Sequence, residues 1–409
     1  MINTEKRKGG WGGNRDSFGL ACLALLMFVF AVLPASAATQ YVVVNRYAAN
    51  NYSVISSSDN VSCSEMQTSF PNVYSNGPVY FQGPTFNASD PYGYAGENMI
   101  NYYGHNGTYV RNLTDLVGMS AGDEIVIKAS DGMTRYFNYT NVYTPYNDGT
   151  YAQGNMILAW WDSVYGAVPA YSDGIRLFFY DPPASYGVAD SLNMTLPDMY
   201  HSLAPWYRYN YSGTWPSAKG LSVKYVNELK IYPPHLHDFN TTGDTSGWAY
   251  KGEVSLDPPS TLDLPGTLLS SISDIADHDS STETISSNSS YAAQRFNFLI
   301  DTPTDKDGPV NKIEKLSISW IGSGYHDDSD EGLTLYIWNG SSYEELASTN
   351  SGTEVTLNGE RSSNIEDYVN SGNVTVIVVQ KSPGEGPDSL SSLATDYIKL
   401  VVTHHHSNM

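Results

Sequence analysis

Apolar and polar positions alternate along much of the chain, in short runs that end at Gly, Pro, Asn or Asp. A period of two gives a strand one buried and one exposed face, so each run predicts a β-strand. The runs form two groups, separated by a stretch rich in turn residues. They are residues 40–48, 124–130, 134–140, 174–180 and 221–233 in the first group, and 294–300, 313–322, 333–346, 373–380 and 395–403 in the second.

Helical patterns are few. Residues 109–119 predict one short helix, and residues 362–372 predict a single helical turn. Two dipeptides between alternating runs, Asp131-Gly132 and Asn339-Gly340, predict β-hairpins. The second favours a type I′ turn, because both central residues of that turn need positive φ.

These patterns predict a mainly β protein with two domains. Residues 270–290, inside the second domain, are Ser-rich, acidic and low in complexity, and predict a mobile loop or an unpaired excursion of the chain. The expected organisation is a signal peptide at 1–37, a β-rich N-terminal domain at 38–234, a linker at 235–250, a jelly-roll-like C-terminal β-sandwich at 251–403 and a His-containing tail at 404–409.

The first 37 residues have the pattern of a secretory signal peptide. Four basic residues precede the apolar run 20–33, and Ala35-Ser36-Ala37 is a small-residue cleavage site. The run is shorter than the roughly 20 residues needed to span a bilayer. A retained anchor is the alternative to cleavage, and in both cases we expect an exported, extracellular protein.

Charge and cysteine content limit the functions and the covalent links that the protein can have. The chain carries a formal charge of −22, and removal of residues 1–37 changes it to −24, because four basic and two acidic residues leave. Such a surface repels nucleic acid and anionic membranes. Cys63 is then the one cysteine left, so no disulfide is expected within the chain.

Potential N-glycosylation sites occur along both halves of the chain. Each is an Asn-x-Ser/Thr sequon, which an exported protein presents to the glycosylation machinery. In a chain rich in Asn, Ser and Thr, some sequons also arise by chance. The twelve are Asn51, Asn60, Asn87, Asn106, Asn112, Asn138, Asn193, Asn210, Asn240, Asn288, Asn339 and Asn373.

Residues 120–234 carry four motifs in a recognisable order: Asp131-Gly132, Leu158-Ala159-Trp160, the strand 174–179 and Val223-Lys224-Tyr225-Val226. This order resembles the later half of the molybdopterin-binding domain of the sulfite oxidase family. The resemblance implies the fold of that domain. It also implies a Cys thiolate bound to molybdenum, with Arg and His residues holding the cofactor phosphate.

The chain departs from that ligand pattern. Cys63, in "NVSCSEM", has no basic neighbour, and a buried cysteine usually behaves as a small hydrophobic residue. The leader also lacks the Arg-Arg pair of the signal that exports cofactor-loaded enzymes. Cys63 is therefore a weak candidate ligand, and we expect a scaffold without molybdopterin.

Two acidic runs of the second domain suit calcium, which takes six to eight oxygen ligands from flexible loops. The alternative is two solvated acidic loops, since neither run has full EF-hand spacing. The candidate ligands are Asp327, Asp328, Asp330 and Glu331 in the first run, and Asp301, Asp305 and Asp307 in the second.

Histidines give weaker candidates. His235 and His237 would share one face of a strand, as two zinc ligands do, but the sequence offers no third ligand. His404, His405 and His406 could bind a transition metal or be the remnant of a purification tag.

Aromatic residues are the other candidate contact surface. We assign most tryptophans to cores, with Trp320 facing inward because it follows Leu316 and Ile318 at period two. Tyr325 and Tyr343, near loops, are the candidates for sugar or protein contact. The tryptophans considered for sugar stacking are Trp160, Trp161, Trp206, Trp215, Trp320 and Trp338.

No catalytic motif is recognisable, so the sequence favours a non-enzymatic role. The runs 333–346, 373–380 and 395–403 are similar to the β-sandwich modules that end methanogen-type archaeal surface proteins. We expect an exported glycoprotein of an archaeal envelope, with a structural or adhesive role as an S-layer, sheath or filament subunit. It would associate with itself or with other envelope proteins and glycans. The alternatives are a molybdopterin-dependent oxidoreductase and an extracellular carbohydrate- or protein-binding module.

Overall fold

A computed structural model describes residues 40–49, 51–75, 77–93, 96–180, 192–240, 247–269, 271–279, 281–300, 312–327 and 332–407. The signal-peptide segment 1–37 lies outside these residues. Within them, no helix combines the length and the apolar character that crossing a membrane requires.

The N-terminal domain is built on a five-stranded sheet of order β2-β1-β15-β7-β8. Its first and last strands, β1 and β15, are parallel neighbours, so the chain closes on itself before the second domain begins. In a second sheet, β9 pairs with β6, β10 and β11. The strands are β1 Tyr41–Ala48, β2 Asn51–Ser62, β3 Val73–Tyr74, β4 Tyr80–Gln82, β5 Met99–Asn101, β6 His105–Tyr109, β7 Glu124–Ala129, β8 Thr134–Asn138, β9 Met156–Asp162, β10 Gly166–Ala167, β11 Arg176–Phe179, β12 Asn193–Met194, β13 Asn210–Tyr211, β14 Trp215–Pro216 and β15 Val226–Tyr232.

The C-terminal domain is an antiparallel β-sandwich. One sheet has the order β16-β26-β21-β24, with β19 also paired to β26. The other has the order β18-β17-β20-β25-β22-β23. The strands are β16 His235–Asp238, β17 Gly247–Val254, β18 Thr267–Leu268, β19 Glu283–Ser287, β20 Tyr291–Leu299, β21 Ile313–His326, β22 Leu333–Trp338, β23 Tyr343–Thr349, β24 Val355–Arg361, β25 Asn373–Gln380 and β26 Ser391–His404.

The helices of the described residues are short, and three begin at a capping box that satisfies their first backbone N–H groups. The residue before each of these helices, Ser62, Asn138 or Thr195, accepts from a backbone N–H three positions on. The helices are α1 Cys63–Thr68, α2 Val110–Thr114, α3 Tyr139–Tyr143, α4 Leu196–Ser202 and α5 Ile365–Tyr368, and the 3₁₀ turns are Asp115–Val117, Pro205–Tyr207, Ala218–Leu221 and Ser273–Ile275.

Each domain has its own core. Phe81, Phe137 and Phe178 are fully buried in the first domain. Between the two sheets of the sandwich, Trp320 is fully buried and its Nε1 donates to Thr395 Oγ1 at 2.8 Å, which confirms that it faces inward. A smaller cluster that includes Trp338 and Tyr343 packs separately from this core.

Residues 235–250 do not form the expected linker. β16 pairs with β26, and β17 pairs with β20, so the described part of this segment belongs to the sandwich. The sequence pattern missed β16 because four residues between turn-forming segments give no readable alternation. Its partner strand lies at the far end of the chain, His235 opposite Val402.

The expected tail is also structured. His404 is the last residue of β26, and His405 is buried with its ring stacked on Trp206 at 4.8 Å. His406 reaches Glu124 of the first domain. These histidines therefore lie in the contact between the domains, and only residues 408–409 of the segment fall outside the described residues.

The described part of residues 270–290 is not a loop throughout, because it contains a 3₁₀ turn and a paired strand. These are the turn Ser273–Ile275, whose Ile275 is fully buried, and strand β19, which pairs with β26. The sequence predicted a loop because a Ser-rich segment shows little alternation of apolar and polar residues. Pairing with a 14-residue neighbour provides the backbone hydrogen bonds that this pattern does not reveal.

Both predicted hairpins form. β7 and β8 pair across Asp131-Gly132, and β22 and β23 pair across residues 339–342. The type I′ assignment is wrong, because Gly340 has a φ of +87° while Asn339 does not have a positive φ. Trp338 pairs with Tyr343, which makes this a four-residue loop.

Candidate functional site

One exposed group of aromatic side chains lies on the N-terminal domain. Phe86 is 58% exposed and Tyr211 is 49% exposed. The Phe86 ring lies 6.2 Å from Tyr211 and 5.8 Å from Trp215, edge-on to both. Tyr211 and Trp215 face each other across the β13–β14 hairpin, whose turn residues Ser212 and Gly213 have positive φ. The hairpin thus presents two rings at one side, and Phe86 packs against both.

A second aromatic group on the same domain contains two exposed rings, Tyr200 and His201, and two half-buried rings, Tyr92 and Tyr151. The Tyr92 ring lies 4.7 Å from Tyr200, and the His201 imidazole stacks on Tyr151 at 4.2 Å with an interplanar angle of 6°. Tyr200 and His201 are consecutive residues of α4 and their rings are 5.2 Å apart. The Arg208 guanidinium lies 4.2 Å above the Tyr200 ring. This contact holds the tyrosine ring in place by a cation–π interaction.

The two groups are connected twice along the chain. Phe86 and Tyr92 belong to the same loop. Arg208 and Tyr211 are three residues apart, so their Cα atoms lie within about 11 Å of each other. We call the seven residues that carry the rings the aromatic surface: Phe86, Tyr92, Tyr151, Tyr200, His201, Tyr211 and Trp215.

The aromatic surface borders an exposed acidic turn. The Tyr146 hydroxyl donates to Asp148 Oδ2 at 2.7 Å, and the backbone N–H groups of Thr150 and Tyr151 donate to Asp148 Oδ1. These hydrogen bonds, chiefly the one from Tyr151, lower the pKa of Asp148 to about 2. The surface therefore combines flat apolar ring faces with a permanently charged carboxylate at its border.

The sequence does not single out this surface. Trp215 is one of the six tryptophans considered for sugar stacking, most of which we assign to cores, and in the structure it is half-buried beside exposed rings. The available signal was the density of Tyr and Trp in residues 200–215. The density of aromatic residues does not indicate which of them form the surface. Only the fold shows this, because it packs Phe86 against the β13–β14 hairpin.

The two tyrosines predicted to contact a ligand differ in position. Tyr325 is 45% exposed, on β21. Tyr343 is 7% exposed and packs edge-on against Trp338 at 5.0 Å, so it does not offer its ring to a ligand. The Tyr343 ring is buried because it lies opposite Trp338 in the hairpin and packs in the smaller hydrophobic cluster that contains both residues.

A second constellation lies at one edge of the sandwich and contains His278, Glu354 and Asp396. His278 Nε2 lies 3.4 Å from Asp396 Oδ2 and 3.7 Å from Glu354 Oε1. The three ligand-type atoms all lie within 4.8 Å of one another. An open cleft of about 550 Å³, lined in part by Ala276 and Asp277, adjoins the loop that carries His278.

This constellation differs from the predicted calcium sites. Of the seven candidate ligands, Asp327 is described, and its Oδ2 accepts from Leu390 N at 3.0 Å on the surface. The calcium prediction for Asp301, Asp305, Asp307, Asp328, Asp330 and Glu331 falls outside the described residues.

Cys63 opens α1 in a hydrophobic environment and is 7% exposed. Burial raises the pKa of its thiol to about 11. Because a metal binds the thiolate, this environment opposes a ligand role. Cys63 packs in the core of the first domain, in the same cluster as Val61 and Met66.

None of the twelve sequon asparagines, all of which the structure describes, is buried. Four of them are exposed: Asn60, Asn87, Asn240 and Asn288. The Asn339 amide, in contrast, is held in its loop. Its Nδ2 donates to Glu344 Oε1 at 2.6 Å, and its Oδ1 accepts from Ser341 and Ser342 backbone N–H groups.

Comparison with protein families matches residues 244–404 to a family described as "Uncharacterized protein, C-terminal domain". An uncharacterised protein of Archaeoglobus fulgidus is 30% identical over 119 residues, which are 28% of this chain and 19% of the relative. The chain thus spans about a fifth of the length of that relative. These matches relate the second domain to an uncharacterised archaeal protein. They give no support to the resemblance of residues 120–234 to the sulfite oxidase fold.

Among solved structures, similarity is low. A xylan-binding CBM22-1 domain from Paenibacillus barcinonensis aligns at 10% identity and a TM-score of 0.19, over 31% of this chain and 85% of its own. The TmCBM61 module in complex with β-1,4-galactotriose aligns at 9% identity and 0.19, over 42% and 89%. The ANX2 ectodomain from Arabidopsis thaliana aligns at 10% and 0.25, over 90% and 98%.

Proposed function

We propose that this chain is an exported cell-surface protein that binds a carbohydrate chain across its aromatic surface. The observation that carries the proposal is a group of aromatic rings on the N-terminal domain, of which Phe86, Tyr200, His201 and Tyr211 are exposed and Tyr92, Tyr151 and Trp215 are half-buried. Exposed contiguous apolar patches mark sites of interaction.

The chemistry of the surface favours a sugar over other ligands. Aromatic faces pack on the apolar faces of sugar rings, tyrosine hydroxyls can donate or accept hydrogen bonds with sugar hydroxyls, and the Asp148 carboxylate can accept them. The formal charge of −22 opposes polyanions such as nucleic acid. Rings held by contacts such as Arg208 on Tyr200 lose little side-chain entropy on binding.

A binding experiment with variants tests the proposal. The full chain is assayed on an array of neutral and acidic glycans and then titrated with the strongest ligand. We expect Trp215→Ala and Tyr200→Ala to weaken binding at least tenfold each. Tyr165→Ala is the matched control, since Tyr165 is 58% exposed and lies outside the aromatic surface. Equal binding by all three variants, or no glycan bound by the parent chain, would refute the proposal.

A structural role in the envelope is the second candidate, supported by the edge strand β2. This strand has 12 residues, most of them exposed, with Val54 and Ile55 about half exposed. β2 forms one edge of the five-stranded sheet. Long exposed edges pair with other chains unless charge or proline prevents it. Calcium at the acidic loops would add to assembly by lowering repulsion between subunits.

Sizing of the purified chain with and without calcium tests this second candidate. Assembly through β2 predicts that Ile55→Lys reduces the assembled fraction several-fold. Leu256→Lys is the control, because Leu256 is 54% exposed on the other domain. Assemblies that respond equally to both variants would exclude β2 as the contact, and a monomer under all conditions would exclude the role.

A further inference from the structure

We propose that His278, Glu354 and Asp396 bind one zinc ion. The three residues come from separate parts of the sandwich. His278 follows the turn Ser273–Ile275, Glu354 directly precedes β24, and Asp396 lies within β26. A bound ion would therefore connect the acidic Ser-rich segment to two strands of one sheet. The proposal is independent of the carbohydrate-binding function.

The spacing of the side-chain atoms fits a tetrahedral zinc ion. Two ligand atoms at zinc's usual bond lengths of about 2.1 Å lie about 3.4 Å apart in a tetrahedral site. His278 Nε2 is 3.4 Å from Asp396 Oδ2 and 3.7 Å from Glu354 Oε1. An ion placed between these atoms would need only small side-chain movements, and His278 and Glu354 are exposed and free to make them.

Asp396 gives a second, independent indication. Its side chain is 0% exposed, and none of the residues that the structure describes makes a hydrogen bond to its Oδ2. The other oxygen, Oδ1, accepts from the Asp279 backbone N–H at 3.3 Å, which orients the carboxylate toward His278. A buried carboxylate oxygen without a hydrogen bond is costly, and a cation at this position would compensate it.

The backbone conformation of β26 also places the Asp396 side chain beside His278. In the pairing of β21 with β26, Ile321 is opposite Tyr397 and Gly322 is opposite Thr395, so Asp396 is the extra residue of a β-bulge. Bulges change the direction of a side chain relative to the regular strand and occur often beside functional sites. Here the bulge lets Thr395 bond Trp320 in the core while Asp396 points at His278.

The chemistry of the three side-chain donors favours zinc over calcium and magnesium. Calcium and magnesium are bound by oxygen ligands, whereas one imidazole nitrogen with two carboxylates suits zinc and its neighbours among the transition metals. Three protein ligands leave a fourth tetrahedral position for water. This position faces solvent beside His278 and Glu354, which are about half exposed.

Zinc titration of the full chain tests the site. The protein is freed of metal with a chelator, dialysed and titrated with zinc chloride against a chromophoric competitor. We expect one zinc ion per chain and at least a tenfold loss of affinity in His278→Gln and Asp396→Asn. Glu354→Gln and Glu360→Gln form a matched pair. Both carboxylates are exposed, and only Glu354 belongs to the site, so Glu360→Gln should bind zinc like the parent chain.

Thermal unfolding supplies a second measurement, which is independent of whether Asp396→Asn folds. A ligand that binds only the folded state raises Tm by mass action. Zinc should raise the Tm of the parent chain and of Glu360→Gln, and leave that of Glu354→Gln nearly unchanged. The proposal is wrong if Glu354→Gln and His278→Gln bind zinc like the parent chain. It is also wrong if calcium raises Tm and zinc does not, or if neither ion binds and a His278–Asp396 ion pair alone accounts for the geometry.

Discussion

The His406 imidazole Nδ1 lies 2.5 Å from Glu124 Oε2 and so joins the two domains. Glu124, the first residue of β7, is 3% exposed, and it also accepts a hydrogen bond from the backbone N–H of His406 at 3.0 Å. Tyr52 of β2 packs against the same histidine at 5.5 Å and against His235 at 5.4 Å. The last residues of the sandwich are therefore part of the contact with the first domain.

Loss of this pair should destabilise the whole chain. Hydrogen bonds to charged groups contribute about 1.5–3 kcal/mol, so His406→Ala should lower the free energy of unfolding by about 2 kcal/mol. Urea denaturation of His406→Ala, Glu124→Gln and the double variant measures the coupling between the two residues. Fully additive effects in this cycle would show that the contact does not stabilise the protein.

Glu314 should make stability depend on pH near neutrality. Burial, and then the nearby Glu124 charge, raise the pKa of Glu314 from 4.5 to about 7. Between these values the folded chain holds a proton that the unfolded chain has lost, so the stability that Glu314 contributes is fully present below pH 4.5 and is lost as pH rises through 7. Thermal scans at pH 5 and pH 8 should show a smaller loss for Glu314→Gln than for the parent chain. A control, Glu360→Gln, removes an exposed carboxylate, and an identical loss in all three proteins would contradict this prediction.

His105 should make the stability of the protein fall as the pH becomes acidic, which is opposite to the effect of Glu314. Burial lowers the pKa of His105 from 6.5 to about 4, although Asp162 at 3.8 Å raises it in part. The folded state therefore prefers neutral imidazole, and the stability it contributes is present above pH 6.5 and is lost as pH falls through 4. The shift corresponds to about 3 kcal/mol. Urea denaturation at pH 7 and pH 4 should show a smaller acid loss for His105→Phe, which keeps the ring on Phe178. Equal losses in both proteins would refute the assignment.

Glycan occupancy should follow the environment of each asparagine. We expect Asn60 and Asn288, which are exposed, to be modified and Asn339 to remain bare. A sugar on Asn339 Nδ2 would disturb its hydrogen bond to Glu344 and the turn that its Oδ1 stabilises. Glycopeptide mass spectrometry of protein purified from its own cells measures all twelve sites. Full occupancy at Asn339 would contradict this prediction.

The sequence by itself determined eleven of the 26 strands that the structure describes, among them most of the central strands of the two sandwich sheets and the core of the first sheet. The run 373–380 matches β25 at both ends, and the run 40–48 matches β1 within one residue. Residues 109–119 contain α2 and a 3₁₀ turn, and residues 362–372 contain α5. These predictions succeed because alternation, turn dipeptides and helix caps act between residues a few positions apart.

Only the tertiary structure decided which residues come together in each candidate site. Phe86 meets Trp215, His278 meets Asp396, and His406 meets Glu124, each across more than 100 residues of chain. No local pattern encodes such contacts, because they depend on strand order and on register. A single extra residue in β26 aims Asp396 at His278, and the pairing of β16 at the edge of the sandwich turns an expected linker into a strand. Periodicity specifies which residues can be buried, but only the packed fold specifies which side chains share a site.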